Sequence, residues 1–284
     1  MLQYFQGWKF TVMRRRLIIG DVHGRYNALR QVLGRAHFTD GEDVLYSVGD
    51  FCDRGRDNVE VLRYLSSLTS FRPVLGNHDA WLQDYLRTGF VMSDNWYYRN
   101  GGCTTVASFE GVSEEERKKF SFWLDSIPYC RIEKGIILIH GGPVGRDLRE
   151  LERPRDYARE SDAKDIPDEL WDRTYLRTAL LYEHWMVSDG KKDGMKFDEY
   201  STRMCGQYDE LGEKTRTGRL YIASRTRTIF TGHSIVGERP FSSKTFHITA
   251  LDTGAASPDG RLTCMNADTG EYWQSDIIRE TEES

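Results

Sequence analysis

The sequence predicts an α/β protein built on a mixed sheet. Three observations carry this. Short apolar runs recur, each ending in glycine and a polar residue. Helically spaced segments separate the first of these runs. Alternating segments near the end of the chain read as antiparallel strands.

Residues 1–12 are set aside as a tag or disordered leader. Tyr4-Phe5-Gln6-Gly7 resembles the scar of a cleavable tag, which makes Met13 the expected natural start. Arg14-Arg15-Arg16 reads as a solvated edge. Leu17-Ile18-Ile19 is a buried strand that runs into Gly20-Asp21-Val22-His23-Gly24. Residues 26–37 place Leu29, Val32, Leu33 and Ala36 at helical spacing, and Gly41 turns the chain into a second strand at 44–48. That β-α-β unit predicts parallel strands with a right-handed crossover. The second strand ends in Gly49-Asp50, followed by Asp53-Arg54-Gly55.

Residues 58–68 form the next amphipathic helix, with Val61, Leu62, Leu65 and Leu68 on one stripe. Pro73-Val74-Leu75 runs into Gly76-Asn77-His78-Asp79, and a helix over 79–86 stops at Gly89. Asn100-Gly101-Gly102 is a turn, and 104–109 starts another helix. Ser113 with Glu116 is a capping box for a helix that faces inward through Phe120, Trp123 and Leu124. Pro128 leads to the strand 136–139, which ends in His140-Gly141-Gly142.

Between residues 143 and 227 charge dominates and apolar periodicity weakens. Residues 148–160 read as a charge-laced helix or loop, and 170–185 as a helix. Residues 191–217 read as an excursion over the site edge, so 143–227 is expected to be a divergent, lid-like insert. Ile229-Phe230-Thr231 then runs into Gly232-His233. Residues 246–251 and 261–265 alternate as strands, with Asp259-Gly260 as a hairpin turn between them. Asp268-Thr269-Gly270 marks a further turn before Tyr272-Trp273. One domain is expected over 13–278, with 279–284 as an acidic tail.

Bulk properties narrow the function. A net charge of −5 over 284 residues opposes a nucleic-acid partner held by phosphate contacts. No apolar run approaches the length of a membrane helix, so no membrane partner is expected. The five cysteines are odd in number and form no CxxC pair, which fits free thiols in a reducing cytoplasm. Cys52 lies inside the second motif and reads as a small packing residue.

The chemistry sits at the strand ends. In open α/β sheets, sites lie beyond the carboxyl ends of the strands. Five such ends deliver Asp21, His23, Asp50, Asn77, His140 and His233 to one edge. That is enough for two metals sharing a carboxylate, and the Asp and His donors suit Mn, Fe, Zn or Ni. Asp50 is the best bridge, since one carboxylate offers two oxygens. His78 follows Asn77 directly, so it would point across the site, where it could protonate a leaving alkoxide. Asp53 could hold its ring, and Arg54 offers a planar fork for phosphate oxygens. His37, His184 and His247 lack the glycine-flanked context and read as ordinary core or surface residues. Residues 141–145 are no nucleotide loop, because no Lys-Ser/Thr pair follows.

The ordered set GDxHG, GDxxDRG, GNH, HGG and GH resembles the calcineurin-like metallophosphoesterases, and within them the phosphoprotein phosphatase branch. The resemblance spans most of the chain, and its bacterial members carry a similar "NGG then T" stretch. It implies two facing mixed sheets flanked by helices, an α/β/β/α sandwich. It implies Asp21, His23 and Asp50 at one metal and Asn77, His140 and His233 at the other, with Asp50 bridging and manganese as the first choice of ion. It supports His78 as general acid, with Asp53 behind it. Trp171-Asp172-Arg173 resembles a bacterial segment whose arginine clamps phosphate, which adds Arg173 to Arg54. The implied activity is two-metal hydrolysis of phosphomonoesters by attack of a bridging hydroxide, with phosphorylated serine or threonine in proteins as substrate. Phosphoprotein phosphatases usually read GNHE, whereas this chain has Asp79. Symmetrical diadenosine tetraphosphate hydrolases often carry that Asp, but commonly lack the aspartate found here as Asp53. A dinucleoside polyphosphate hydrolase is therefore the alternative enzyme, and a silent metal- or phosphate-binding regulator the alternative of another class.

Overall fold

The computed structural model describes residues 14–143, 147–154, 166–205 and 227–278. The expected leader and acidic tail lie outside the described residues, as do 155–165 and 206–226 of the expected insert. Ten strands occur among the described residues: β1 (Arg16–Ile19), β2 (Val44–Ser47), β3 (Phe71–Pro73), β4 (Cys130–Glu133), β5 (Ile136–Ile139), β6 (Thr228–Thr231), β7 (Phe241–Ser243), β8 (Ile248–Ala250), β9 (Thr263–Asn266) and β10 (Tyr272–Gln274). The α-helices among the described residues are α1 (Tyr26–Arg35), α2 (Asn58–Ser67), α3 (Asn77–Thr88), α4 (Gly102–Ser108), α5 (Glu114–Asp125), α6 (Thr174–Val187), α7 (Asp189–Lys192) and α8 (Phe197–Cys205).

Two five-stranded sheets result, in the orders β10-β9-β1-β2-β3 and β4-β5-β6-β8-β7. Both are mixed. The pairs β1–β2, β2–β3, β5–β6 and β6–β8 are parallel, while β9, β10, β4 and β7 pair antiparallel with their neighbours. Strand side chains alternate faces, and this sorts the core. Ile18, Tyr46, Val48 and Val74 meet Ile136, Leu138, Phe230 and Leu251 in one cluster between the sheets. Their sequence neighbours Leu17, Ile19, Leu45, Ile137, Ile139 and Ile229 point the other way, into the cluster shared with the helices. A strand covered on both faces must be apolar throughout, which is why Leu17-Ile18-Ile19 is an unbroken run. Each such side chain contributes about 1.5–3 kcal/mol by leaving water. The protein is thus the α/β/β/α sandwich that the motifs implied.

Helix bounds follow local chemistry. Gly89 adopts the left-handed conformation (φ 73°) and ends α3, its N–H donating to Tyr85 O at 2.8 Å. Ser113 Oγ accepts from Glu116 N at 3.2 Å and starts α5.

Three expectations are corrected. Asp259-Gly260 does not close a hairpin: β8 pairs with β6 and β7, whereas β9 pairs with β1 and β10, so the chain crosses from one sheet to the other there. The dipeptide makes a local turn, with Asp259 at φ 65°, but buried strand faces choose the partners. β9 instead forms a hairpin with β10, where Asn266 Oδ1 accepts from Asp268 N at 2.9 Å. The helix expected from residue 170 begins only at Thr174, because Asp172 accepts from Thr174 N (3.1 Å) and Tyr175 N (3.3 Å) and sets the start there. Residues 189–192 and 197–205 are helical rather than an irregular excursion. Finally, β4 and β7 are short edge strands whose sequences carry no alternation long enough to read.

Candidate metal centre

The carboxyl ends of β1, β2, β5 and β6 and the loop after β3 meet at one edge. Backbone hydrogen bonds hold the loops together. Asp50 O accepts from Val22 N (2.9 Å) and His23 N (3.0 Å), and Phe51 O accepts from Gly24 N (2.8 Å). Asp79 supplies the third tie. Its carboxylate accepts from Asp50 N (2.7 Å), Phe51 N (2.8 Å) and Gly76 N (2.9 Å). Gly49 must be glycine: it sits at φ 101°, and a Cβ there would lie 2.3 Å from Gly76 N. Of the eight described non-glycine residues with positive φ, five cluster here: His23, Asp50, Asp53, Arg54 and His233. Such conformations persist only where surrounding contacts over-determine them.

Asp50 stands at the centre, 1 % exposed. Its Oδ2 lies 3.2 Å from His140 Nε2, 3.6 Å from His23 Nε2 and 3.9 Å from His78 Nε2. Two groups that could hold a metal ion therefore share this carboxylate: His23, Asp50 and His78, and Asp50, His140 and His233. The rings are aimed. His23 Nδ1 donates to Cys52 O (2.9 Å) and His140 Nδ1 to Val48 O (2.7 Å), which leaves each Nε2 facing Asp50. Asn77 Oδ1 is 3.0 Å from His140 Nε2. Asp21 Oδ2 accepts from His233 N at 2.8 Å, but Asp21 Oδ1 is buried with no hydrogen-bond partner. A buried carboxylate oxygen without a partner is costly unless a cation supplies one. The donor set and that orphaned oxygen fit divalent metal ions.

Electrostatics agree with this reading. Burial opposes the charge on Asp50, but the imidazoles of His140, His78 and His23 outweigh it and hold the carboxyl well below its usual range. Burial would lower His140, yet Asp50 beside it raises it to about 9. Burial together with His140 presses His233 down to about 3, and burial together with His78 holds His23 well below its ordinary value. Asp21 is pushed well above the carboxylate range by burial and by nearby Asp252. A bound cation would reverse that penalty.

Beside this cluster lies a second unit. His78 Nδ1 donates to Asp53 Oδ2 at 2.6 Å, and His78 Nε2 faces the site. Arg54 stands between two rings, with NH1 3.2 Å from His23 Nε2 and NH2 3.3 Å from His78 Nε2. Arg173 reaches the other side, where NH1 donates to Ser234 Oγ at 3.2 Å, next to His233.

The model of the calcineurin-like phosphoesterase family matches residues 14–236. The chain belongs to that family. Among curated relatives, it is 30 % identical over 163 residues to serine/threonine-protein phosphatase 2 of Salmonella typhimurium, covering 57 % of this chain and 70 % of that one. It is 37 % identical over 131 residues to a symmetrical bis(5'-nucleosyl)-tetraphosphatase of Coxiella burnetii, covering 45 % of this chain and 42 % of that one. The chain thus spans less than half of the tetraphosphatase's length. Among solved structures, a protein serine/threonine phosphatase of Saccharomyces cerevisiae superposes with a TM-score of 0.54 at 15 % identity, over 95 % of this chain and 82 % of that one. That last likeness is one of fold.

As a calcineurin-like phosphoesterase, the protein is a hydrolase, and all ten residues singled out in its sequence lie at this edge. Asp21, His23, Asn77, His140 and His233 surround Asp50, and His78, Asp53, Arg54 and Arg173 flank them. His78 Nε2 lies 3.9 Å from Asp50 Oδ2, within the same group as His23. Part of the expected insert belongs to the site: Gly142 N donates to Glu169 O (2.9 Å), which docks the Trp171–Arg173 turn against the end of β5. Four further residues serve this edge without a signal legible in the sequence. Asp79 was visible only as a departure from GNHE, yet it ties three backbone amides. Trp96 and Thr105 reach Asp53 from outside the strand-end loops, and Asp252, buried near Asp21, follows an ordinary strand.

Proposed function

We propose that this calcineurin-like phosphoesterase hydrolyses phosphomonoesters at two divalent ions, with phosphorylated serine or threonine in proteins as its substrate and manganese as its metal. The observation that carries this reading is the His78–Asp53 pair set beside the Asp50-centred cluster. Asp21, His23 and Asp50 would hold one ion, and Asp50, Asn77, His140 and His233 the other. Two such ions supply an activated water and neutralise charge at phosphorus.

The chain's own groups do the rest. Arg54 and Arg173 bind phosphate oxygens from two sides, and the Arg54 guanidinium offers a bidentate fork. Asp53 fixes the His78 ring by accepting from Nδ1; in the doubly protonated imidazolium form, Nε2 carries the proton that goes to the leaving alkoxide. His78 then regains a proton from solvent. His78 sits next to Asn77 and near Asp50, so it could also act as a ligand; the 2.6 Å bond to Asp53 supports the acid role. A cytoplasmic location accords with the free thiols at Cys52, Cys103, Cys130 and Cys264. No helix among the described residues is long and apolar enough to cross a membrane.

A second reading is symmetrical dinucleoside polyphosphate hydrolysis, supported by the 37 % identity to the Coxiella tetraphosphatase and by Asp79. A manganese-loaded sample assayed on phosphoserine and phosphothreonine peptides and on diadenosine tetraphosphate separates the two. Preferred turnover of the peptides is expected; turnover of diadenosine tetraphosphate alone would favour the second reading. Silence with every divalent ion would leave a binding protein. His78→Asn should lower turnover by about 10²–10⁴-fold with metal content unchanged. Lost metal would instead make His78 a ligand.

A further inference from the structure

Trp96 and Thr105 lie outside every strand-end loop, yet both reach the carboxylate behind His78. Trp96 Nε1 donates to Asp53 Oδ2 at 2.7 Å, and Thr105 Oγ1 donates to Asp53 Oδ1. Thr105 Oγ1 also accepts from Asp53 N at 3.0 Å, beside Asn58 Oδ1 at 2.8 Å. All of this is dry: Trp96 is 1 % exposed, and Asp53 and Thr105 are 0 %. The terminal torsion of an Asp side chain is broad. One donor would leave the carboxylate plane free to swing, whereas a fixed donor on each oxygen sets it.

The backbone is shaped for this contact. Trp96 sits on a single π-helical turn (Asn95–Arg99), a rare local form often found at functional sites. Gly101 follows at φ 80°, where a Cβ would lie 2.6 Å from Arg54 N, and a Cβ on Gly102 would lie 2.5 Å from the Trp96 ring. The Asn100-Gly101-Gly102 turn thus presses the indole toward Asp53, and its Gly101 O accepts from Arg54 N at 3.3 Å. The same stretch was conspicuous in the sequence without a function attached to it.

We infer that Trp96 and Thr105 are positioning residues for the leaving-group acid, acting through Asp53 on His78. The inference rests on the reading of His78 as that acid. Neither residue touches substrate; each fixes the direction in which Nε2 delivers its proton. Their effect must then follow the leaving group's need for that proton.

The test compares kcat/KM on p-nitrophenyl phosphate, phenyl phosphate and an alkyl phosphate, with the manganese-loaded full chain and its variants Thr105→Val, Thr105→Ser, Trp96→Phe and His78→Asn. Thr105→Val and Trp96→Phe should lose less than about threefold on p-nitrophenyl phosphate and about tenfold or more on phenyl phosphate, while Thr105→Ser keeps the parent profile. In the His78→Asn background, Thr105→Val should cost nothing further on any substrate. Metal content and melting temperature are measured alongside. If Trp96→Phe does not fold, the two Thr105 variants decide. An equal loss on all three substrates, no loss, or the same loss in both backgrounds overturns the inference. A flat leaving-group profile for His78→Asn itself would overturn the acid reading beneath it, a result distinguishable from failure of the Thr105 variants alone.

Discussion

Asp50 owes its charge to its neighbours. It is buried, which alone would favour the neutral acid, and three imidazoles reverse that. The same pairing raises His140 to about 9 in the metal-free protein, after burial has been overcome. A His with a raised pKa stabilises the fold fully below its unfolded value of about 6.5 and loses that contribution as pH rises through the folded value. Metal ligation at Nε2 needs the neutral ring, so binding must displace this proton. Manganese binding should therefore release protons at pH 7, and affinity should rise with pH up to about 9. Calorimetric titration in buffers of different ionisation enthalpy measures the release; none at pH 7 would contradict the pairing. The ligand-type residues were legible because glycine flanks each strand end. Trp96, Thr105 and Asp79 were not, because a buried Trp or Thr has the same local pattern whether it packs or donates to a carboxylate.

At the scale of elements, the site depends on loops pressed closer than side chains allow. Gly49 touches the backbone of Gly76, and Asp79 ties both loops to the start of α3. Gly49→Ala should destabilise the protein by at least about 2 kcal/mol, through left-handed strain and collision with Gly76. Denaturant unfolding measures this, and an unchanged midpoint would refute the close approach. Periodicity revealed α1, α2 and α5 because each buries one stripe. It placed the hairpin wrongly, because Asp259-Gly260 encodes a turn but not which sheet receives the next strand. Nor does periodicity show the start of α6, since Asp172 accepts from Thr174 N and Tyr175 N in a turn that is docked on Gly142.

Over the whole molecule, two sheets share one inner core and present their carboxyl edges together. Tyr46 OH donates to Glu133 Oε2 at 2.7 Å and links β2 of one sheet to β4 of the other. Phe230 lies in the cluster between them, 2 % exposed. Phe230→Ala should cost about 3–5 kcal/mol of stability, read by thermal or denaturant unfolding, while the order of substrate preference stays the same. A changed preference would mean that the inner core shapes the site directly. The facing of the sheets was not legible in the residues themselves, since alternation shows that a strand has two faces but not what covers each. The motifs supplied it. The proposed two-metal chemistry depends on one carboxylate serving two ions at once, and counting bound manganese in Asp50→Asn tests this most directly. Equilibrium dialysis with metal analysis should find two ions per chain in the parent protein and fewer than two in the variant. Two ions retained by Asp50→Asn would contradict it.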